Sequence, residues 1–308
     1  MSDNSRAWWR HRNLGVRHEL RLSSGRLAYF DVGAGAPLVF LHGPLTNANV
    51  WRKVIGALSS RYRCIVLDLP FGSHAIPMPA ADLSFGGLSR LVAEALDELD
   101  VRGATVIGND GGTPLAQLLA ISRPDLAGRL VLTAGGAYDN APPRAFRPIL
   151  AAVAYAPAAR LFVLGPLRLR AMRRLPVSYG GLTRRPVEPA TSDSWALPAL
   201  VNDDIYADLR RMLRALDGAE VEAVSRRLHE FTGPVLVVWS KPDRVFPHAH
   251  AERLASDFAD SRLAWIPDSG SLIPEEKPFE LSDLIANFAP RPSARPAVAD
   301  RQSLPSKG

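Results

Sequence analysis

The sequence predicts an α/β fold, a mostly parallel central sheet flanked by helices and interrupted by an inserted helical cap. Short Val/Ile/Leu-rich runs alternate with helical stretches over residues 16–137 and again over 216–289, the pattern of a sheet covered on both faces. Between them, residues 138–215 are helical and punctuated by proline, without strand signals. A hydrophobic content of 47% with 22% charged residues over 308 positions is enough to bury one large core of this kind.

In chain order, residues 1–15 precede any periodic pattern and are expected to form a surface arm, with Trp8 and Trp9 packed somewhere on the body. A strand near Val16 to Leu22 is expected to pair with Arg26 to Val32 as a hairpin. Further strands are expected at Pro37 to His42, Cys64 to Leu67, Ala104 to Gly108, Leu130 to Thr133, Val235 to Trp239 and Leu263 to Ile266. Helices should begin near Asn49, Phe85, Gly112, Phe246 and Lys277. Residues 290–308 are rich in Pro, Arg, Ala and Ser, with almost no large apolar residue to offset the entropy of ordering, so a disordered tail is expected.

Composition excludes several classes. The greasiest segment, Ile149 to Leu169, is broken by prolines, glycine and arginines and falls short of the roughly 20 apolar residues a spanning helix needs, so no integral membrane segment is expected. A net charge of +6 without basic runs interleaved with aromatics argues against a nucleic-acid partner. One cysteine, Cys64, cannot form an intrachain disulfide, and Met1 to Arg12 lacks a signal-peptide pattern, which together suggest a cytoplasmic protein. No cluster has metal-ligand spacing and no phosphate-binding loop is present, so neither a metal nor a cofactor is implied.

The chemistry lies in Thr105-Val-Ile-Gly108-Asn109-Asp110-Gly111-Gly112-Thr113, a β-branched strand running through glycines into a helix. A residue at such a turn is pushed into the open above the sheet, and the glycines remove side chains that would clash. This is the G-x-Nuc-x-G shape of a nucleophile elbow with Asp110 in the nucleophile's place. A carboxylate there can attack an sp³ carbon and form an ester to the protein, which shifts the expected reaction from acyl transfer to epoxide opening or alkyl displacement. The plainer alternative is an Asp capping a helix.

With these residues in view, the chain resembles the α/β-hydrolase superfamily, and its Asp makes it similar to the epoxide hydrolase and haloalkane dehalogenase branch. His42-Gly43-Pro44-Leu45-Thr46 with Trp51-Arg52 stands where that branch has its H-G-x-P loop and downstream W-R. Asp68-Leu69-Pro70-Phe71-Gly72-Ser73 resembles the D-x-x-G-x-G-x-S loop, one residue shorter, and Trp239 to Pro247 resembles the loop supplying the triad acid, here Asp243. The resemblance covers roughly residues 16–289 and implies a site built from Asp110 and Asp243, with Gly43, Pro44, Leu45, Gly111, Trp51 and Tyr138 around the oxyanion hole and pocket.

The departures bear on the chemistry. The family's triad His precedes a Pro by seven residues; here Ser271 occupies that position relative to Pro278. A neutral serine cannot take a proton from water near neutral pH as an imidazole can. Attack by Asp110 needs no base, but hydrolysis of the resulting ester does, so a trapped or slowly released alkyl-protein is expected unless another group serves. Pro44 has no N–H for the oxyanion hole, leaving Gly111 and a shifted Leu45 as donors. The Trp that dehalogenases carry after their nucleophile is Gly111 here and the Asn or Glu after H-G is Pro44, so halide stabilisation is unsupported.

Among the histidines, His74 follows the fourth strand at the sheet edge carrying Asp110 and Asp243 and is the candidate replacement base. His248 and His250 fit a solvated helix face, and His42 a brace beneath the site. Asp110 and Asp243 could alternatively act as a carboxylate pair whose pKa values are pushed apart. In the cap, seven arginines and no acid lie between Arg160 and Arg185, predicting an apolar inner face and a basic outer one. Tyr138, Tyr155, Tyr179, Tyr206 and Trp195 are its aromatics, and a cap Tyr that donates to the epoxide oxygen is what the resemblance implies. The expected function is epoxide-hydrolase-like turnover of a small hydrophobic, conceivably anionic, organic substrate. The alternatives are a degenerate hydrolase that binds a hydrophobic ligand without turnover, or a non-hydrolytic lyase or isomerase.

Overall fold

The structure, a computed structural model, describes residues 2–290; the expectation for the tail falls on residues outside these from 291 onward. Every expected strand is present: β1 Arg17–Leu22, β2 Gly25–Val32, β3 Pro37–Leu41, β4 Arg63–Leu67, β5 Ala104–Asp110, β6 Ala127–Gly135, β7 Val235–Lys241 and β8 Ser261–Pro267. They form one sheet in the order β1-β2-β4-β3-β5-β6-β7-β8, with β1–β2 and β2–β4 antiparallel and every other neighbouring pair parallel. Burial follows this order. Strand β5 is buried at all seven positions, so its β-branched residues serve two covered faces. Edge strand β1 exposes Arg17, His18, Glu19 and Arg21, charges that discourage pairing with another chain.

The helices are α1 Asp3–Ala7, α2 Arg52–Leu58, α3 Phe85–Glu98, α4 Gly112–Ser122, α5 Arg147–Tyr155, α6 Tyr179–Leu182, α7 Pro189–Ala196, α8 Pro198–Val201, α9 Asp203–Ala215, α10 Gly218–Ser225, α11 His248–Asp257, α12 Ile273–Glu276 and α13 Pro278–Phe288. The chain between β6 and β7 holds only helical elements, α5 to α10 and short 3₁₀ and π turns. Helix α9 starts cleanly because Asn202 caps it, its side chain accepting from the Asp204 and Ile205 N–H groups at 2.9 and 3.0 Å. Its buried Ile205, Leu209 and Met212 face inward at helical spacing. Helix α4 begins so close to β3 that a Cβ on Gly112 would collide with the Leu41 carbonyl.

The N-terminal arm lies against the body of the protein. Helix α1 packs on α7 and α8, with Ala7 and Leu14 fully buried. Arg6 donates to the buried Asp193 of α7, and Arg10 reaches Asp68 beyond the end of β4 at 3.1 Å as well as the Ser73 carbonyl. Sequence patterning could not show this, because the arm is held by ion pairs rather than by a periodic apolar face. Arg10 and the neighbouring histidines hold the Asp68 carboxyl below the usual carboxylate range against the opposing effect of burial. Arg10→Ala would leave Asp68 buried without its cation, and urea unfolding should show a loss of about 3 kcal/mol. A loss below about 1 kcal/mol would show that the pair contributes no more than an exposed one.

Candidate active site

Strand β5 ends in Asp110, whose backbone is in the left-handed region at φ 55°, and α4 starts two residues later. A non-glycine residue held there is strained by about 1–3 kcal/mol, which the surrounding packing must offset. Gly43 lies directly beneath, since a Cβ on it would collide with the Asp110 carboxylate, and Gly111 faces the Pro44 ring. Asn109, fully enclosed, fixes the turn: its amide donates to Thr133 Oγ1 at 2.9 Å and to the Ala134 and Ser271 carbonyls at 3.0 Å. This clamp joins β5, β6 and the loop after β8. Sequence reading passed over it as a spacer letter of the elbow, although a polar residue inside a buried strand end was the available signal.

Burial pushes the Asp110 carboxyl up to about 7, and the Asp243 charge adds to this, while the Gly111 N–H opposes it. Asp243 lies beyond the end of β7. Its Oδ1 accepts from the Val245 and Phe246 N–H groups at 2.8 and 2.9 Å and from the Ser271 hydroxyl at 2.8 Å. Its Oδ2 is buried and has no partner among the described residues. Burial raises the Asp243 pKa against the effect of these donors. Ser271, itself almost fully buried, thus spends its proton on Asp243 and does not line the cavity.

The cavity over Asp110 measures about 400 Å³, within the usual range for small-molecule sites. Its floor is Pro44, Leu45, Asp110, Gly111 and Pro114, and its roof comes from cap residues including Phe146, Leu150, Val153, Phe162, Leu167 and Tyr179. Among the described residues, Asp110 is the one ionisable acid or base that lines it apart from the Tyr179 phenol, and the side-chain hydroxyls are those of Ser178 and Tyr179. The apolar inner face expected of the cap is present. The anionic substrate considered from the arginines is not favoured, because none of the seven lines the cavity and a substrate carboxylate would meet Asp110. Tyr179 bridges cap and core, its hydroxyl donating to the Leu45 carbonyl at 2.9 Å.

Several expected members lie elsewhere. His74 is enclosed away from the cavity: its Nδ1 accepts from the Gly72 N–H at 3.2 Å, so Nε2–H is the donor to Asp208 Oδ2, 3.2 Å away, and no ring nitrogen is left to act as a base. Tyr138 faces the other way, donating to Asp257 at 2.9 Å beneath the Arg253 guanidinium. Trp51 is buried against Phe40 under the sheet end. Leu45, at φ 54°, lines the cavity, but its N–H donates to the Phe71 carbonyl at 2.9 Å and is not free to replace the donor that Pro44 lacks. His248 accepts from the Asp243 N–H at 3.2 Å, a loop-shaping contact, and His250 lies beside Asp139 and Tyr138. His42 braces the loop, with Nε2 accepting from Leu69 N–H and Nδ1 at 3.0 Å from the Gly43 carbonyl, and burial lowers it to about 4. No group of three or more His, Cys, Asp or Glu among the described residues could hold a metal.

Two further acids position the loop carrying Ser271. Glu275 pairs with the buried Arg52, the second residue of the Trp51-Arg52 motif, at 3.0 Å, and with Lys53. Glu276 accepts from the Gly270 N–H at 2.6 Å and from the Arg184 and Arg185 N–H groups at 2.8 Å, tying this loop to the cap.

Comparison with known proteins agrees with this architecture. The alpha/beta hydrolase fold family profile matches residues 36–278. Haloalkane dehalogenase 2 of Mycobacterium tuberculosis is 28% identical over 271 residues, 85% of this chain and 91% of that protein. The uncharacterized hydrolase YugF of Bacillus subtilis is 26% identical over 253 residues, covering 82% and 89% respectively. Among solved structures, an alpha/beta hydrolase fold protein from Burkholderia ambifaria superposes with a TM-score of 0.75 at 24% identity, covering 89% of this chain and 97% of that one. Haloalkane dehalogenase DbeA from Bradyrhizobium elkani has a TM-score of 0.74 at 20% identity with the same coverage.

The raised Asp110 pKa has a thermodynamic signature. Between the unfolded value of 3.8 and the folded value of about 7 the native state holds more protons than the unfolded state, so its stability falls as pH rises through that window. Asp110→Asn removes the penalty at nearly constant shape. Chemical denaturation should show the variant more stable than wild type by about 2–4 kcal/mol at pH 8, with the difference shrinking toward zero near pH 4. A pH-independent difference would contradict the shift.

Proposed function

The chain belongs to the α/β-hydrolase fold family, and from that premise we propose a hydrolase with a carboxylate nucleophile, Asp110, acting on a small hydrophobic epoxide with a slow second half-reaction. The observation that carries this reading is that one carboxylate, at a strained strand–helix turn, is the sole acidic or basic side chain among the described residues to line an apolar cavity, the Tyr179 phenol aside. Such a cavity admits an uncharged alkyl or aryl epoxide and excludes much of the water that would screen the attacking oxygen.

In the proposed first step an Asp110 Oδ attacks an epoxide carbon; the ester C–O bond forms, the ring C–O bond breaks, and the new alkoxide takes the Tyr179 hydroxyl proton. Tyr179 is proposed because it lines the cavity with its hydroxyl on the Leu45 carbonyl. In the second step water adds to the ester carbonyl as one of its protons passes through Asp243 to the Tyr179 phenolate; the ester C–O bond then breaks, the leaving alkoxide takes the other water proton from the tetrahedral hydroxyl, and the diol departs with Asp110 again a carboxylate. The unpartnered Asp243 Oδ2, buried and not itself part of the cavity lining, is the acceptor proposed in place of an imidazole. A carboxylate is the weaker base, so ester breakdown should run about 10²–10⁴-fold slower than with a positioned histidine. Dehalogenation, the reaction named for several relatives, is less favoured, because Gly111 and Pro44 offer no side-chain donor to a leaving halide. The Leu45 N–H bound to Phe71 and the absent imidazole also favour a second reading, ligand binding without turnover.

Intact-mass spectrometry after exposure to a panel of epoxides and alkyl halides tests the proposal. An epoxide should add its own mass to the wild type and not to Asp110→Asn, at a rate that rises with pH through about 7 as the carboxyl ionises. The adduct should outlast its formation by many half-lives. If neither adduct nor diol forms with any compound that binds, covalent chemistry fails and binding without turnover replaces it.

A further inference from the structure

Among the described residues, eight large apolar side chains are strongly exposed, and six of them fall within one short stretch of the cap: Tyr155, Leu161, Phe162, Leu169, Leu175 and Val177, between 43% and 73% exposed. They come from successive turns that pack on one another, Arg160–Leu164, Gly165–Arg168 and Met172–Arg174, with the chain just before and after them. Phe162, Leu175 and Val177 also line the cavity over Asp110, so the apolar surface is continuous with the cavity mouth. A contiguous exposed patch of this kind marks an interaction surface.

The charge around it selects the partner. Among the described residues, six of the seven arginines between 160 and 185 share four aspartates, Asp3, Asp193, Asp203 and Asp268, which leaves the group with an excess of positive charge. The Arg174 side chain, exposed, has no ion-pair or hydrogen-bond partner among the described residues. Arg214 lies 5.5 Å from the Tyr155 ring centroid and adds a further cation beside the patch. A second copy of the chain docked face to face would set these arginines against their own images. An anionic lipid surface instead accepts both halves, the apolar side chains into the headgroup–acyl boundary and the guanidinium groups among the phosphates.

We propose that this face of the cap docks on an anionic phospholipid bilayer and opens the cavity toward the membrane, from which an apolar substrate enters. The binding step stands apart from the reaction at Asp110. No helix among the described residues is long and apolar enough to cross a membrane, so contact is at the surface.

Co-sedimentation of the full chain with phosphatidylcholine vesicles containing about one-third phosphatidylglycerol tests this. Binding should be at least about tenfold tighter than to pure phosphatidylcholine, and should weaken about as much in roughly 0.5 M salt. Leu161→Asp with Leu169→Asp should abolish it while leaving adduct formation with a water-soluble epoxide unchanged. Arg174→Glu, at an exposed position, should weaken it severalfold and keeps the test decisive if the double variant disturbs the cap. No binding to the anionic vesicles, or binding indifferent to these substitutions, would overturn the proposal. So would a dimer in solution that the double variant dissolves while vesicle binding is absent.

Discussion

The arrangement turns on one constraint, the burial of a carboxylate at a backbone turn that does not favour it. Asp110 is strained at φ 55°, enclosed, near a second aspartate, and raised to about 7. Each of these opposes folding, and each is tolerated because neighbouring contacts over-determine the turn. Gly43 leaves room for the carboxylate, Gly112 lets α4 press on β3, and Asn109 ties the strand end to β6 and to the Ser271 loop. A lone buried carboxylate with no role would be an expensive feature to hold in this way.

Polar contacts join the helical insertion, the arm and the core beside the shared apolar packing. Asp193 gathers Arg6, Arg170 and Arg173; Glu276 joins the Ser271 loop to the Arg184 and Arg185 backbone; Tyr179 reaches the Leu45 carbonyl. Arg173 is buried with Asp193, so part of what reads in the sequence as a basic outer face is internal scaffolding. The apolar turns between Tyr155 and Val177 leave an exposed patch beside the cavity mouth.

How much of this was legible in the sequence follows from which forces act locally. The eight strands were legible because β-branched runs bounded by turn residues leave few other solutions. The elbow was legible because a strand, two glycines and a helix start can make only one kind of turn. Side-chain direction was not: His74, Tyr138 and Trp51 each sit near the site in sequence, yet each points to a partner away from the cavity, Asp208, Asp257 and Phe40. Nor was the inserted arm, since Arg10 finds Asp68 through a contact 58 residues apart in the chain. The position of Ser271 was read from spacing to Pro278, but its bond to Asp243 needed the folded loop.

The proposed chemistry has Asp110 form a covalent ester that is released slowly because position 271 carries a serine rather than an imidazole. Rapid-quench measurement of ester breakdown in Ser271→His against wild type, with an epoxide that forms the adduct in both, addresses it most directly. Breakdown about 10²-fold faster or more in the variant, with formation unchanged, is the predicted result. Equal breakdown rates in a correctly folded variant would mean that another group already serves as the base, and the claim would be wrong.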